Sequence, residues 1–242
     1  MKYFNLLVVV LAVSAACHAA FTDYYFYPSG LKPPGIPPDS ATVKSVALTS
    51  WEDAAVDGNA PAYSFGTDEW GHVEHGYLSR SDANLLYKFT DAYNSLSDAV
   101  NTATLHLYLF GAANQNPTLG LNAARITAAW SESSVTWNSK PASDSQSAAY
   151  SGTPGLNNSI AIDVTTPVAA EQAASAATRH GIALFDTAGT SPYFEMKEAA
   201  TAVYRPYLYV AVVPEPICAW VVFGQCIAVC IRRRSAESNT CN

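Results

Sequence analysis

The densest run of reactive side chains in this 242-residue chain is Asp68-Glu69-Trp70-Gly71-His72-Val73-Glu74-His75. Carboxylates and imidazoles so spaced are the groups that ligate metals or move protons. In an extended segment His72 and Glu74 share a face while His75 points away, which spoils a three-ligand cluster. The run therefore reads first as a polar loop. Calcium held by loop carboxylates such as Glu52, Asp53 or Asp57 has a better footing, since sandwich loops suit oxygen ligands, but no ligand spacing fixes a site. No motif calls for any other cofactor. His106 and Tyr108 alternate with Thr104, an arrangement a polysaccharide lyase could use as base and acid; a sheet-surface histidine is the plainer reading. The sequence lacks Gly-x-Ser-x-Gly, His-Glu-x-x-His and a phosphate-cradling loop. Its many carboxylate pairs discriminate nothing. Flat aromatics that could stack on sugars are Trp51, Tyr63, Trp70, Tyr77 and Tyr108, although such a side chain also caps the end of a sandwich.

Strands must position these groups. Thr102 to Phe110 alternates most cleanly, with Leu105, Leu107 and Leu109 on one face and His106 and Tyr108 on the other. Leu85 to Phe89, Ile160 to Val164, Gly181 to Phe185 and Tyr207 to Val212 alternate or run apolar similarly, with Gly and Pro punctuating the gaps. Thr166-Pro167 offers an N-cap and a first helical position for an alanine-rich helix to Ala177, with Gly181 just past its end. Phe21 to Ser40 carries Pro28, Pro33, Pro34, Pro37 and Pro38 and reads as a Pro-rich linker over 20–41, with regular structure beginning near Thr42. The expected fold over 42–212 is all-β, an antiparallel β-sandwich of jelly-roll type with one short helix.

The two ends read as addresses. Lys2, an apolar run from Leu6 to Ala16 and small residues at the close make 1–19 a secretory signal peptide cleaved after Ala19. Ser14-Ala15-Ala16-Cys17 brushes against a lipoprotein signal, but Ser14 stands where that signal prefers a branched aliphatic residue. At the other end, Pro214-Glu215-Pro216 precedes an uncharged segment, Ile217 to Ile231, and then Arg232-Arg233-Arg234. The segment is shorter than the roughly 20 residues that span a hydrocarbon core, a deficit that bilayer thinning and arginine snorkelling reduce. The arginines would lie in the cytoplasm and the body outside. Residues 213–234 resemble the PEP-CTERM sorting signal of bacteria, which implies an exosortase-type enzyme as partner and a C-terminal membrane helix. Gln225, the cysteines within the run and the tail 235–242 depart from that pattern. All five cysteines (Cys17, Cys218, Cys226, Cys230 and Cys241) lie in these ends. The body from Ala20 to Val213 therefore has no intradomain disulfide and no cysteine-ligated zinc. It holds nine Lys+Arg against 18 Asp+Glu, a charge of −9, which disfavours nucleic acid and strongly anionic glycans unless calcium bridges them.

The run Leu121 to Ala142 contains Trp130-Ser131-Glu132-Ser133-Ser134-Val135-Thr136-Trp137-Asn138-Ser139-Lys140-Pro141. It resembles the DNRLRE domain family, whose signature is Trp-x-Glu-x-x-Val-Thr-Trp-Asn-x-x-Pro. Asp53 to Val56 with Tyr63 to Gly66, Leu85 to Phe89, Leu105 to Tyr108, Ile162 to Thr165, His180 to Leu184 and Tyr193 to Pro206 match its other elements in order. The helix after Val164 lacks the family's tryptophan, offering small residues around Glu171 and Gln172, and Met196-Lys197-Glu198 replaces Ser-Arg-Glu. Packing there must differ. The resemblance implies a jelly-roll module of the carbohydrate-binding module family 96 type, without catalytic machinery. Trp130, Glu132, Val135, Thr136, Trp137, Asn138 and Pro141 are expected to be structural: the tryptophans anchor a turn and the polar residues satisfy backbone groups. Trp51, Tyr63, Trp70 and Tyr108 remain the carbohydrate-binding candidates. The expected function is a non-catalytic, exported bacterial module that binds polysaccharide at the cell envelope or in the matrix. A structural adhesin or matrix scaffold is the alternative, ahead of a lyase or hydrolase.

Overall fold

Side-chain alternation organises the observed architecture. The structure, a computed structural model, describes residues 21–213 apart from 30–31, 80, 97 and 114–116. The signal-peptide and sorting readings of the ends lie outside the described residues. Strands follow in the order β1 (Thr22–Pro28), β2 (Val43–Leu48), β3 (Glu52–Asp57), β4 (Trp70–His72), β5 (Ala83–Lys88), β6 (Ala99–Ala112), β7 (Leu119–Arg125), β8 (Ser147–Gly152), β9 (Asn158–Asp163), β10 (Ile182–Asp186), β11 (Pro192–Glu195) and β12 (Tyr207–Val213). A short helix, α1 (Thr165–Ala173), joins β9 to β10. Among the described residues no helix is long and apolar enough to cross a membrane.

The strands make two sheets. The first runs β2-β1-β12-β6-β11-β4, with β9 also paired to β6; the second runs β3-β5-β10-β7-β8. The pairing of β1 with β2 is parallel, whereas β12 joins β1 antiparallel. This corrects the expectation that regular structure begins near Thr42. Residues 22–27 keep every backbone donor, so β1 can sit between two neighbours. Pro28 closes the strand, and Pro33 to Pro38 fall in the crossover to β2, where a missing N–H interrupts no ladder.

The fold is all-β and sandwich-like. Ala103, Leu105, Leu107 and Leu109 of β6 point inward and are buried, as the alternation predicts. They pack in one core with Phe26, Leu85, Tyr87, Leu121, Leu184, Phe194 and Val210. Burying each such leucine contributes about 1.5–3 kcal/mol. The second sheet is covered on its other face too. There Ala54, Val56, Leu86, Ile126 and Ala183 pack under Trp130 and Val135, with Trp137 and Phe185 at the margin. Residues 126–141 thus form a flap over the second sheet. No equivalent cluster covers the outer face of the first sheet among the described residues.

The helix departs from its expected boundaries. It starts at Thr165 with Val164 at the N-cap and ends at Ala173, followed by a separate turn at Ala176–Thr178. Thr166 is not the cap, because the neighbouring Thr165 hydroxyl fixes the entry by bonding the Ala103 N–H (2.9 Å) and carbonyl (3.3 Å) on β6. Polar ties hold this helix to the sheets. Glu171 is fully buried; its Oε1 accepts from Arg125 Nε (2.7 Å) and its Oε2 from the Gly181 N–H (2.9 Å). Gln172 accepts from the Val100 N–H and donates to the Asp98 carbonyl.

Candidate functional site

The first sheet's outer face is aromatic by strand parity. Where Leu105, Leu107 and Leu109 point inward, His106, Tyr108 and Phe110 point outward on β6. Where Leu208 and Val210 point inward, Tyr207 and Tyr209 point outward on β12. Neighbouring strands add Tyr25 from β1, Tyr193 from β11, and Trp70 and His72 from β4. The rings touch in groups along the face: Trp70 lies 5.6 Å from Tyr193 and 6.3 Å from Phe110, and His72 lies 5.3 Å from Tyr193. Tyr204, in the turn before β12, stacks on Tyr108 at 4.0 Å. Further along, His106 stacks on Tyr207 at 4.3 Å, and Tyr25 lies 5.1 Å from Tyr209.

The rings of this face are kept neutral. Burial lowers the His106 pKa, so its imidazole resists protonation. Burial, and then the hydroxyl's hydrogen bond to Asp23 Oδ1 (2.9 Å), push Tyr209 up to about 12. Burial and then Tyr25 raise Tyr207. Burial, followed by the nearby Glu69 carboxylate, raises Glu195 at the margin. Neutral aromatic faces beside hydroxyl and carboxylate acceptors are what stacking against the C–H face of a sugar ring, and hydrogen bonding to its hydroxyls, require.

The proposed aromatics divide across the molecule. Trp70, 47% exposed, and Tyr108 belong to the row. Trp51 does not: only 3% exposed, it packs on Phe89 at 5.4 Å and its indole N–H donates to Asp53 Oδ2 (3.3 Å), so it offers no stacking platform. The apolar core around Phe89 claims its ring. Tyr63 is exposed but packs against Phe65 in a loop, outside the row. Tyr77 sits half-buried in the Tyr77–Ser79 turn. Sequence reasoning missed Tyr25, Phe110, Tyr193, Tyr204, Tyr207 and Tyr209. For the strand residues the signal was the same alternation that located the core.

The charged groups resolve into three places. His72 Nε2 lies 3.7 Å from both Asp57 Oδ2 and Glu74 Oε2, too far for hydrogen bonds, while His75 turns away to Asp82 at 3.1 Å. Glu52 is paired with Lys88 at 2.7 Å. Glu52, Asp53 and Asp57 therefore do not build one calcium site: Asp53 and Asp57 lie at opposite ends of β3, and Glu52 faces the other way. Instead, oxygens of Asp53, Glu132 and Glu198 converge within 4.8 Å of one another, with Lys197 beside them.

The flap explains the signature run. Trp130 is buried and its indole N–H donates to the His180 carbonyl (2.7 Å); Val135 is buried beside it. Lys88 donates to the Trp130 carbonyl and lies over its ring. Glu132 accepts from the Asp53 N–H (3.0 Å), joining the flap to β3. Thr136 caps the Trp137–Ser139 turn through Ser139, and Lys140 sits 3.3 Å above the Trp137 ring. The Asn138 backbone N–H donates to the Pro61 carbonyl, and Pro141 follows the turn. Gly66 is required nearby, because a Cβ there would collide with the Glu132 carbonyl.

The sequence matches the model of carbohydrate-binding module family 96 over residues 44–211. The chain belongs to carbohydrate-binding module family 96. The matched span includes most of the aromatic row, the whole flap and the carboxylate cluster, while β1, with Tyr25, lies outside it. No curated protein matches this family 96 module.

Proposed function

We propose that the chain is a non-catalytic, exported module of jelly-roll type that binds polysaccharide along the outer face of its first sheet. The observation that carries this reading is the aromatic row from Trp70 to Tyr209, on the sheet face that the flap does not cover. Family membership supports a carbohydrate partner. The acidic body and the carboxylates Asp23, Glu69 and Glu195 around the row favour a neutral or calcium-bridged glycan over a strongly anionic one. His106 supports a binding role over a lyase role, since Thr104 Oγ1 lies 3.1 Å from its Nε2 and Tyr207 covers its ring. The leader ending at Ala19 and the motif Pro214-Glu215-Pro216 with Arg232 to Arg234 support export and sorting to a bacterial envelope or matrix, with an exosortase-type enzyme and the membrane as partners.

Affinity electrophoresis tests the binding reading. The chain is run through gels containing neutral glucans, mannans, xylans or polyuronates, with and without calcium. Retention by at least one polysaccharide, lost in Trp70→Ala and Tyr193→Ala but kept in Tyr63→Ala, is expected. Free migration in every gel, or retention indifferent to Trp70 and Tyr193, overturns it.

A further inference from the structure

Three separate stretches of chain deliver charge to one buried place. Asp53 comes from β3, Glu132 from the flap, and Lys197 with Glu198 from the turn after β11. Asp53 is 1% exposed. Its Oδ2 accepts from the Trp51 indole N–H and from the Lys197 backbone N–H (3.0 Å). Its Oδ1 is buried without a hydrogen-bond partner, and so is Glu198 Oε2. Buried carboxylate oxygens ordinarily find donors, so two unpartnered ones in one cluster point to a cation as their shared partner.

The charge count agrees. The Lys197 ammonium pairs with Glu132 Oε2, lies 3.5 Å from Glu198 Oε1 and donates to the Trp51 carbonyl (3.0 Å). With the three carboxylates ionised, the one ammonium leaves two negative charges for a divalent ion to balance. The nearby Glu52 is already balanced by Lys88. A cleft of about 180 Å³, lined by Ser29, Thr49, Trp51, Lys197 and Glu198 among others, reaches the cluster at Lys197 and Glu198.

The geometry points to a calcium site formed by Asp53 and Glu198, with Glu132 as the third carboxylate. The donors are all hard oxygens, which suits calcium rather than zinc or copper. One oxygen from each of the three carboxylates lies within 4.8 Å of the others, close enough for a single ion to be shared among them. Water would supply the remainder of the six to eight ligands that calcium takes. The ion would tie β3, the flap and the turn after β11 together, independently of whether the aromatic face binds glycan.

Terbium luminescence tests this in the full chain, because Trp51 touches a proposed ligand and can sensitise the ion. Tryptophan excitation is expected to give terbium emission that excess calcium displaces, and calcium is expected to raise the melting temperature. Glu198→Gln, at the cleft, should weaken calcium at least tenfold without altering glycan retention. Trp51→Phe should dim the emission while the calcium-induced melting shift persists. Emission that calcium does not displace, an absence of emission, or equal calcium affinity in Glu198→Gln overturns the site.

Discussion

The imidazole of His106 lies flat on the Tyr207 ring, with centroids 4.3 Å apart and planes 6° from parallel. The contact bridges β6 and β12 on the open side of the first sheet, and the surrounding burial lowers the His106 pKa. A histidine that folds neutral contributes stability that is present above its ordinary value near 6.5 and is lost as pH falls through the depressed one. The expected result is an NMR titration midpoint for His106 below 6.5. Tyr207→Ala should restore it toward the ordinary value and cost about 0.5–1.5 kcal/mol from the lost stack, beyond the area term.

Tyr204 holds Tyr108 in the same way, ring on ring at 4.0 Å. Tyr204 comes from the Ala202–Tyr204 turn rather than from a strand, so its substitution leaves the sheet ladders intact. Tyr204→Ala is expected to weaken glycan binding about tenfold, equivalent to about 1.4 kcal/mol, with little change in melting temperature. Calorimetric titration of the polysaccharide retained in the affinity gels measures it. Equal affinity would remove Tyr108 from the binding row.

The Arg125–Glu171 pair anchors α1 to β7 by charge. Glu171 is fully buried and both its oxygens are bonded, while Arg125 Nη2 also donates to the Thr178 carbonyl (2.7 Å). Removing one partner of such a pair strands the other, so Glu171→Ala is expected to cost about 3 kcal/mol. Urea unfolding should show a lower midpoint at unchanged slope. A double replacement with apolar residues of similar volume should recover part of the loss.

Alternation made the core and half of the site legible. The pattern that buries Leu105, Leu107 and Leu109 also turns His106 and Tyr108 to the opposite face, and both halves hold. What a single strand cannot reveal is its neighbour. Tyr207 and Tyr193 belong to the row only because β12 and β11 pair with β6, a relation between segments some 80 to 100 residues apart. Trp51 misled for a related reason: an aromatic at a strand entrance has no period of its own, and the apolar surroundings of Phe89 decided its burial. The carboxylate cluster was present in the sequence as fragments. Asp53, Glu132 and Lys197-Glu198 stand in three separate stretches of the chain, and their shared location depends on the flap folding back over the second sheet. The prolines after β1 obscured a strand whose own donors are intact.

Asp53 sets the last expectation. Burial raises its pKa well above the ordinary carboxylate value, and Glu198 adds to that; Lys197 and, more weakly, its backbone N–H oppose, and Glu132 adds a smaller upward push. Tyr87, paired with Asp53 across β3 and β5, is itself raised by burial and by Asp53, so it remains a neutral phenol and supplies no charge. Burial also raises Glu198. For an acid whose folded pKa is raised, stability is fully present below the unfolded value near 3.9 and is lost as pH rises through the folded value. Lys197, lowered by burial but raised on balance by Glu132, Glu198 and Asp53, loses its own contribution only above about 10.4, outside this window. In chelator, the melting temperature of the chain should therefore fall as pH climbs from the carboxylate range toward neutrality, and Asp53→Asn should flatten that fall. Calcium should flatten it too, because an ion held by the ionised carboxylates removes the penalty for losing the proton. A melting temperature that rises steadily over the same interval in chelator would show that Asp53 is already ionised in the folded chain.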